Sequence, residues 1–238
     1  MKILAFDTTN TTLSVAILFD LELAAKKDVF ESNLQAEMLI PSIEDCLKQA
    51  DIWYQDLNLI AFTNGPGSFT GVRIGYSCAK ALAIATKLPI IAFSSLEVVA
   101  YSYRLGCYEG QNFQKILVVN DAKLGELFIQ EFAIENGEIR ANFEPMIINL
   151  DEIKNFLPQE QFLLIGSAKL MIKEWAENAI ICEREDFIDA KNIALLALKK
   201  YSPTNNKDSQ ALYPQALYIR KPKITARKAT NIIKPFQN

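Results

Sequence analysis

The chain of 238 residues contains no histidine at all. This absence excludes Ser-His-Asp and Cys-His triads, HExxH zinc sites and every mechanism that relies on an imidazole as acid or base. Any catalysis would have to use carboxylates, lysine, serine, tyrosine or a bound ligand.

Cysteine is scarce and dispersed. The four cysteines, Cys46, Cys78, Cys107 and Cys182, form no CxxC pair, which excludes a zinc ribbon. We expect reduced, partly buried thiols, with two disulfides as the alternative in a secreted protein.

Long apolar runs are missing as well. No run reaches the roughly 18 residues that a membrane span requires. Asp7 interrupts the N-terminal stretch where a signal peptide would continue. Half of the residues are apolar and 22% are charged, which excludes a disordered chain. We therefore expect a cytoplasmic protein that does not associate with membranes.

Charge is distributed unevenly along the chain. Residues 202–238 carry seven basic residues and one acid, Asp208, so the C-terminal tail is strongly basic, whereas the whole chain has a net charge of −3. Such a tail can contact a phosphate backbone or an acidic partner. It can equally lie against the acidic body of its own chain, and both interpretations remain open.

An apolar strand that ends in an acid occurs twice. The first ends in Asp7 and the second precedes Asp121. Each is followed by further strands, a helix and a glycine turn; residues 139–148 are predicted as one of these strands. The repeat predicts two similar lobes, residues 1–103 and 104–187, with a cleft between them. Residues 188–201 are predicted as a helix that can return to the first lobe, ahead of the tail at 202–238.

The densest motif is Gly65-Pro66-Gly67-Ser68-Phe69-Thr70-Gly71. Glycine permits positive φ and close approach to the backbone, and the N-terminus of the helix that follows suits an anion. The spacing is neither that of a P-loop nor that of a Rossmann motif. A phosphate cradle and a glycine-rich turn without a ligand both remain open.

Polar side chains at the end of the first strand complete the predicted cleft. Asp7 could hold Mg²⁺ through water while Thr8 and Thr9 contact phosphate. Alternatively, Asp7 caps its own turn. The residues of this weak or vestigial nucleotide cleft are Asp7, Thr8, Thr9, Gly65, Gly67 and Ser68.

Small residues recur every four positions on the predicted helix 71–87. Gly71, Gly75, Ala79 and Ala83 form a smooth stripe that lets another element approach closely. The stripe faces either the sheet of its own lobe or another chain. The predicted helix 35–50, kinked or restarted at Pro41, is its expected neighbour.

The sequence resembles the bacterial TsaB (YeaZ) family over nearly its whole length. The resemblance is strongest in the glycine motif continued to Val72-Arg73-Ile74-Gly75, and it also rests on residues 3–9, 37–41, 121–123, 125–128 and 213–220. One departure is Gln35-Ala36-Glu37, where the family often has His-Ser-Glu.

This resemblance implies a two-lobed actin-like ATPase (ASKHA, ribonuclease H-like) α/β fold, with a mixed sheet and flanking helices in each lobe. It also implies a role in making threonylcarbamoyladenosine in tRNA. In that family TsaB is a non-catalytic scaffold that binds and activates the TsaD transferase, and TsaE joins as an ATPase. We expect no resident cofactor, with at most weak ATP or ADP binding without turnover. We also expect a homodimer of the isolated chain, and tRNA contact only through the complex or the basic tail.

The resemblance further implies that the metal-binding histidines of TsaD are absent here, and it indicates which helices contact TsaD. TsaD proteins hold a metal with two histidines on a helix, and the corresponding positions here are Ser95 and Val99, which cannot replace them. Helices 35–50 and 71–87 are expected to contact TsaD. The expected contact residues are Leu34, Met38, Val72, Gly75, Ala79 and Ala83.

Two other functions stay open. The first is an ATP-binding phosphotransferase or ATPase of the same fold, with Asp7 and the glycine motif in the first lobe and Asp121, Gly166 and Ser167 in the second. The second is a tRNA-binding module that uses the tail with Tyr213, Tyr218 and Phe236.

Overall fold

The computed structural model describes residues 1–31, 33–104, 113–183 and 187–201. The tail at 202–238, Cys107 and the junction near residue 104 on which the two-lobe division depends lie wholly or partly outside these ranges. Among the described residues, no helix combines the length and apolar character needed to cross a bilayer.

Two mixed β-sheets form the framework, as the sequence predicts for an α/β chain. The first sheet has the strand order β3-β2-β1-β4-β5. Its strands are β1 (Lys2–Asp7), β2 (Leu13–Phe19), β3 (Glu22–Val29), β4 (Leu59–Thr63) and β5 (Ile90–Phe93). β1 is antiparallel to β2, to which a short turn joins it, and parallel to β4, which follows a helical crossover.

The second sheet has the order β11-β10-β6-β7-β8, with β9 also paired to β7. Its strands are β6 (Lys115–Lys123), β7 (Glu126–Glu135), β8 (Glu138–Ala141), β9 (Met146–Asn149), β10 (Phe162–Ile165) and β11 (Ala179–Ile181). The prediction of one strand at 139–148 is wrong, because β8 and β9 are separate strands on β7. Pro145, which has no N–H to donate to a ladder, lies in the interruption.

In the part of the chain that the structure describes, four α-helices accompany the sheets: α1 (Gln35–Gln49), α2 (Phe69–Thr86), α3 (Ser95–Arg104) and α4 (Ala190–Lys200). α1 continues through Pro41, so it does not restart there. α2 begins after Ser68, whose Oγ accepts a hydrogen bond from the N–H of Gly71.

The core lies on both faces of each sheet. α1 and α2 cover one face of the first sheet, where Cys46 and Cys78 are free thiols whose pKa burial raises to about 11 and about 12. α3 and α4 share one buried apolar cluster with side chains of both sheets, such as Ile3 of β1 and Val118 of β6. These two helices therefore connect the first lobe (the first sheet with α1 and α2) to the second lobe (the second sheet).

A polar cluster fastens the start of α4 to the first sheet. Ser14 Oγ on β2 accepts a hydrogen bond from the N–H of Ala190 at 2.9 Å and donates to Asp28 Oδ1 at 2.6 Å. Lys26 Nζ pairs with Asp28 at 2.9 Å and with Asp189, the N-cap of α4, at 2.8 Å. α4 thus belongs in space to the first lobe, although it follows the second sheet in sequence.

Candidate functional site

The six residues of the predicted cleft lie together at the carboxyl ends of β1 and β4. The Ser68 N–H donates to the carbonyl of Thr9 at 2.8 Å, and Thr8 Oγ1 donates to the carbonyl of Gly71 at 2.7 Å. The glycine loop (residues 65–71) therefore lies directly on the segment that follows β1.

The close contact explains why this loop is rich in glycine. A Cβ on Gly67 would lie 2.4 Å from the Thr9 carbonyl oxygen, and one on Gly71 would lie 1.9 Å from the Thr8 carbonyl oxygen. A Cβ on Gly75, one turn further along α2, would lie 2.5 Å from Thr8 Oγ1. No side chain fits at these positions, because the backbone and side chain of Thr8 and Thr9 already fill them.

Two N–H groups of the loop are not available to an anion. Those of Ser68 and Gly71 donate to Thr9 and to Ser68 Oγ, and the surfaces of Gly67 and Gly71 face carbonyl oxygens. A phosphate needs converging N–H groups, and carbonyl oxygens would repel it. The residues present therefore do not fit a phosphate between the loop and β1.

Asp7 is fully buried beneath this contact. Its Oδ1 accepts hydrogen bonds from the Thr9 N–H at 3.1 Å, from Thr9 Oγ1 at 2.6 Å and from Thr63 Oγ1, whereas Oδ2 finds no partner among the described residues. Burial raises the pKa of Asp7 above its ordinary value, and the hydrogen bonds from Thr63 and Thr9 only partly oppose this effect. The side chain holds its own strand end and the end of β4.

The second lobe repeats part of this arrangement. A Cβ on Gly166 would lie 2.2 Å from the carbonyl oxygen of Val119, and Ser167 Oγ accepts from the Asp121 N–H at 3.0 Å. The Asp121 carboxylate itself accepts from the N–H and the Nζ of Lys123, at 2.7 and 2.6 Å. These hydrogen bonds hold the pKa of Asp121 below its ordinary value, so this carboxylate is engaged by a neighbouring cation.

The two positions compared with metal-binding histidines serve other purposes here. Ser95 is fully buried at the start of α3, and its Oγ donates to the carbonyl of Pro66 at 2.5 Å. Val99 belongs to the apolar cluster between the sheets. Within the described ranges, no group of three or more His, Cys, Asp or Glu side chains is placed to hold a metal ion.

The stripe of small residues on α2 faces the chain's own first sheet. Val72, Gly75, Ala79 and Ala83 are all buried within the lobe, and Gly75 packs on Thr8. Their small size serves the close approach of α2 to β1 and β4 and leaves them almost no exposed surface, and their contact with a partner stays a prediction. Leu34 and Met38 are half-buried, and their contact with a partner stays a prediction.

The opposite side of the same two helices carries exposed apolar groups that sequence reasoning missed. Ile40 on α1 is 42% exposed, and Phe69 and Ile84 on α2 are 58% and 60% exposed. The Arg73 guanidinium lies 3.7 Å from the centre of the Phe69 ring. The sequence did contain a signal for this surface, namely the position of these residues around the helix axis. Residues 69, 73, 77, 80 and 84 follow one another at helical spacing on the face away from the stripe. We call Ile40, Phe69, Arg73 and Ile84 the outer helix surface.

The chain is similar to proteins of tRNA threonylcarbamoyladenosine biosynthesis. A family model described as TsaD, tRNA N6-adenosine threonylcarbamoyltransferase, matches residues 32–226. The tRNA threonylcarbamoyladenosine biosynthesis protein TsaB of Buchnera aphidicola is 30% identical over 202 residues, which are 80% of this chain and 90% of the relative. TsaB of Bacillus subtilis is 35% identical over 138 residues, and that match spans 58% of this chain and only 57% of the relative's length.

Solved structures agree on the fold. YeaZ from Pseudomonas aeruginosa superposes with a TM-score of 0.76 at 23% identity, covering 91% of this chain and 99% of that chain. An inorganic polyphosphate/ATP-glucomannokinase from Arthrobacter reaches a TM-score of 0.51 at 10% identity, covering 84% and 99%. The architecture is therefore the actin-like ATPase (ASKHA) fold that the resemblance implies.

Proposed function

This chain belongs to the TsaB family of tRNA threonylcarbamoyladenosine biosynthesis proteins, and on that premise we propose that it is a non-catalytic subunit that binds and activates the TsaD transferase. The model that matches residues 32–226 is that of the transferase itself, which makes the two proteins paralogues. Two related folds can associate about a pseudo-twofold axis, with each contributing the same surface.

The outer helix surface is the observation that carries the proposal. Phe69 and Ile84 are exposed towards the two ends of α2, and exposed apolar side chains on one face of a helix are typical of an interaction site. Phe69, stacked under Arg73, has the composition favoured at the centre of interfaces. Charged side chains accompany the apolar ones: Glu37 and Glu44 are exposed on α1, and Lys80 is exposed on α2.

A scaffold role is also supported by the chemistry of the other sites. Asp7 is enclosed by Thr9 and Thr63, and Asp121 accepts hydrogen bonds from Lys123. The resemblance implies that Ser95 and Val99 occupy the positions of the transferase's two metal-binding histidines, and the sequence contains no histidine that could replace them. We accordingly propose that activity resides in the partner and that this chain has no resident nucleotide.

Further partners are part of the same proposal. The outer helix surface would serve a homodimer of the isolated chain, because isologous pairing needs one self-complementary patch. TsaE would join the complex with the transferase. Contact with tRNA would occur through that complex or through the basic tail, and it would be strongly salt-dependent.

Light scattering on a sizing column tests the proposal, with the chain alone and mixed with TsaD of its own organism. We expect a 1:1 heterodimer that replaces any homodimer. A chain that elutes unchanged in the presence of TsaD would contradict the proposal.

A further inference from the structure

Hydrogen bonds connect the start of α3 to the glycine loop that precedes α2. The Ser95 N–H donates to the carbonyl of Gly65 at 2.8 Å, and Ser95 Oγ donates to the carbonyl of Pro66 at 2.5 Å. Ser95 has no exposed surface, so water cannot replace these bonds. One residue thus satisfies two successive carbonyls of the loop.

The loop is held from two sides. On one side Ser68 and Gly71 contact Thr9 and Thr8 after β1, and on the other side Ser95 holds Gly65 and Pro66. α2 begins directly after the loop, and its first residue is Phe69. The position of the first turn of α2 therefore depends on both anchors.

The residue before Ser95 contacts the second lobe. Ser94 caps α3, since its Oγ accepts from the Leu96 N–H at 3.2 Å, and it also lies 3.4 Å from Oε1 of Gln130 on β7. Gln130 is buried and its Nε2 donates to the carbonyl of Phe143 at 3.1 Å. α3 is thus fixed to the second sheet independently of the glycine loop.

We infer that Ser95 is a positioning residue for partner docking, which fastens the glycine loop to α3 and so orients the first turn of α2. This inference rests on the proposed function, because it concerns the same outer helix surface. Without the Ser95 hydroxyl, Pro66 loses its partner and the loop populates arrangements in which Phe69 and Arg73 are displaced. The apparent dissociation constant then rises in inverse proportion to the fraction of molecules that remain competent to dock.

Ser95→Ala should remove the bond to the glycine loop without unfolding α3. The cap of α3 belongs to Ser94, and alanine is a better helix former than serine, so α3 itself should persist in the variant. Ser102→Ala is the matched control, because Ser102 lies on the same helix and its Oγ donates to Val99 of that helix at 2.7 Å.

The experiment combines hydrogen exchange on the free full-length chain with titration against TsaD. For Ser95→Ala we expect amide exchange to rise by about tenfold or more in residues 65–72 and to stay unchanged in β1. We expect affinity for TsaD to fall about tenfold, as for the loss of a buried hydrogen bond. Ser102→Ala should change neither quantity.

Each outcome decides a separate point. Unchanged exchange in residues 65–72 would overturn the anchoring role of Ser95, and raised exchange with unchanged affinity would overturn its role in docking. If the wild-type chain does not bind TsaD, the proposed function fails while the exchange measurement still tests the anchor. Should Ser95→Ala fail to fold, Ser95→Cys keeps an atom at the γ position, with sulfur larger than oxygen and only a weak donor, and the same results are expected of it.

Discussion

Thr8 and Gly71 are in contact through side chain and backbone at once. Thr8 Oγ1 donates to the carbonyl of Gly71 at 2.7 Å, and a Cβ on Gly71 would lie 1.9 Å from the Thr8 carbonyl oxygen. The first turn of α2 can therefore rest on the end of β1 only where residue 71 has no side chain. The glycine motif is explained by this packing without a ligand.

Gly71→Ala should be strongly destabilising for this reason. In an ordinary helix position the change would be favourable, but here the new methyl group meets backbone that cannot move aside. We expect a loss of about 2–4 kcal/mol in the free energy of unfolding, measured by urea denaturation.

Gly125→Ala is the control for that substitution. Gly125 has a left-handed backbone conformation, with φ of +74°, whereas Gly71 is helical, and a Cβ on Gly125 would meet nothing within 4 Å. It should lose only about 1–2 kcal/mol, the cost of the left-handed backbone. A Gly71→Ala variant no less stable than Gly125→Ala would show that the contact with Thr8 does not constrain α2.

Asp7 makes the free energy of unfolding depend on pH, and comparison with Asp7→Asn separates its contribution from those of other groups. Burial raises its pKa in the folded state above the unfolded value, so the contribution of Asp7 to stability is fully present below the unfolded pKa. That contribution is lost as the pH rises through the folded-state pKa, because the unfolded chain then ionises more readily. Asp7→Asn cannot ionise, and urea unfolding from pH 4 to 8 should show its stability rising relative to wild type as pH increases. A constant difference between the two proteins across this range would contradict the argument.

The proposal that this chain has no resident nucleotide also has a direct test. A ligand that binds the folded chain stabilises it by an amount set by the ratio of its concentration to the dissociation constant. With about 1 mM Mg²⁺-ATP we expect no shift of the thermal midpoint for wild type or for Asp7→Asn, since the N–H groups of Ser68 and Gly71 already have partners and carbonyl oxygens face Gly67 and Gly71. A shift in wild type that Asp7→Asn abolishes would instead favour the phosphotransferase alternative.

The polar cluster at the start of α4 should matter more than an ordinary surface ion pair. Asp189→Ala removes the N-cap of α4 and its pairing with Lys26, both of which are largely shielded from solvent. We expect a loss of about 1–3 kcal/mol by urea denaturation. Asp45→Ala breaks the more exposed pair with Lys27 and should cost under about 0.5 kcal/mol. Equal losses for the two variants would mean that the cluster does not fasten α4.

Sequence reasoning located the strand ends and the glycine loop, because such features are encoded locally. Asp7 ends an apolar run and Gly65 follows another, and parallel strands bring their carboxyl ends to one edge of the sheet. The division at 139–148 was missed, because apolar residues continue on both sides of the Pro145 interruption.

The direction of the stripe on α2 could not be decided from sequence. Gly75 and Ala79 would suit close packing against a sheet or against another helix equally well. Only the structure shows that Thr8 occupies the space above Gly75, and that Ile84 therefore faces outwards. Similarly, Ser95 was evaluated as a missing metal ligand, and its bond to Pro66 joins residues 29 positions apart, which no local pattern reveals.

Ile84→Glu tests the outer helix surface most directly. Ile84 is 60% exposed, so a charged side chain there should leave the free energy of unfolding within about 0.5 kcal/mol of wild type. A carboxylate buried in an apolar interface must be desolvated without a partner, so the affinity for TsaD should fall at least about tenfold by calorimetric titration. Leu170→Glu is the matched control, because Leu170 is 69% exposed but lies in the second lobe. If Ile84→Glu binds as wild type does while Leu170→Glu loses binding, the interface lies on the second lobe and the assignment to α1 and α2 is wrong.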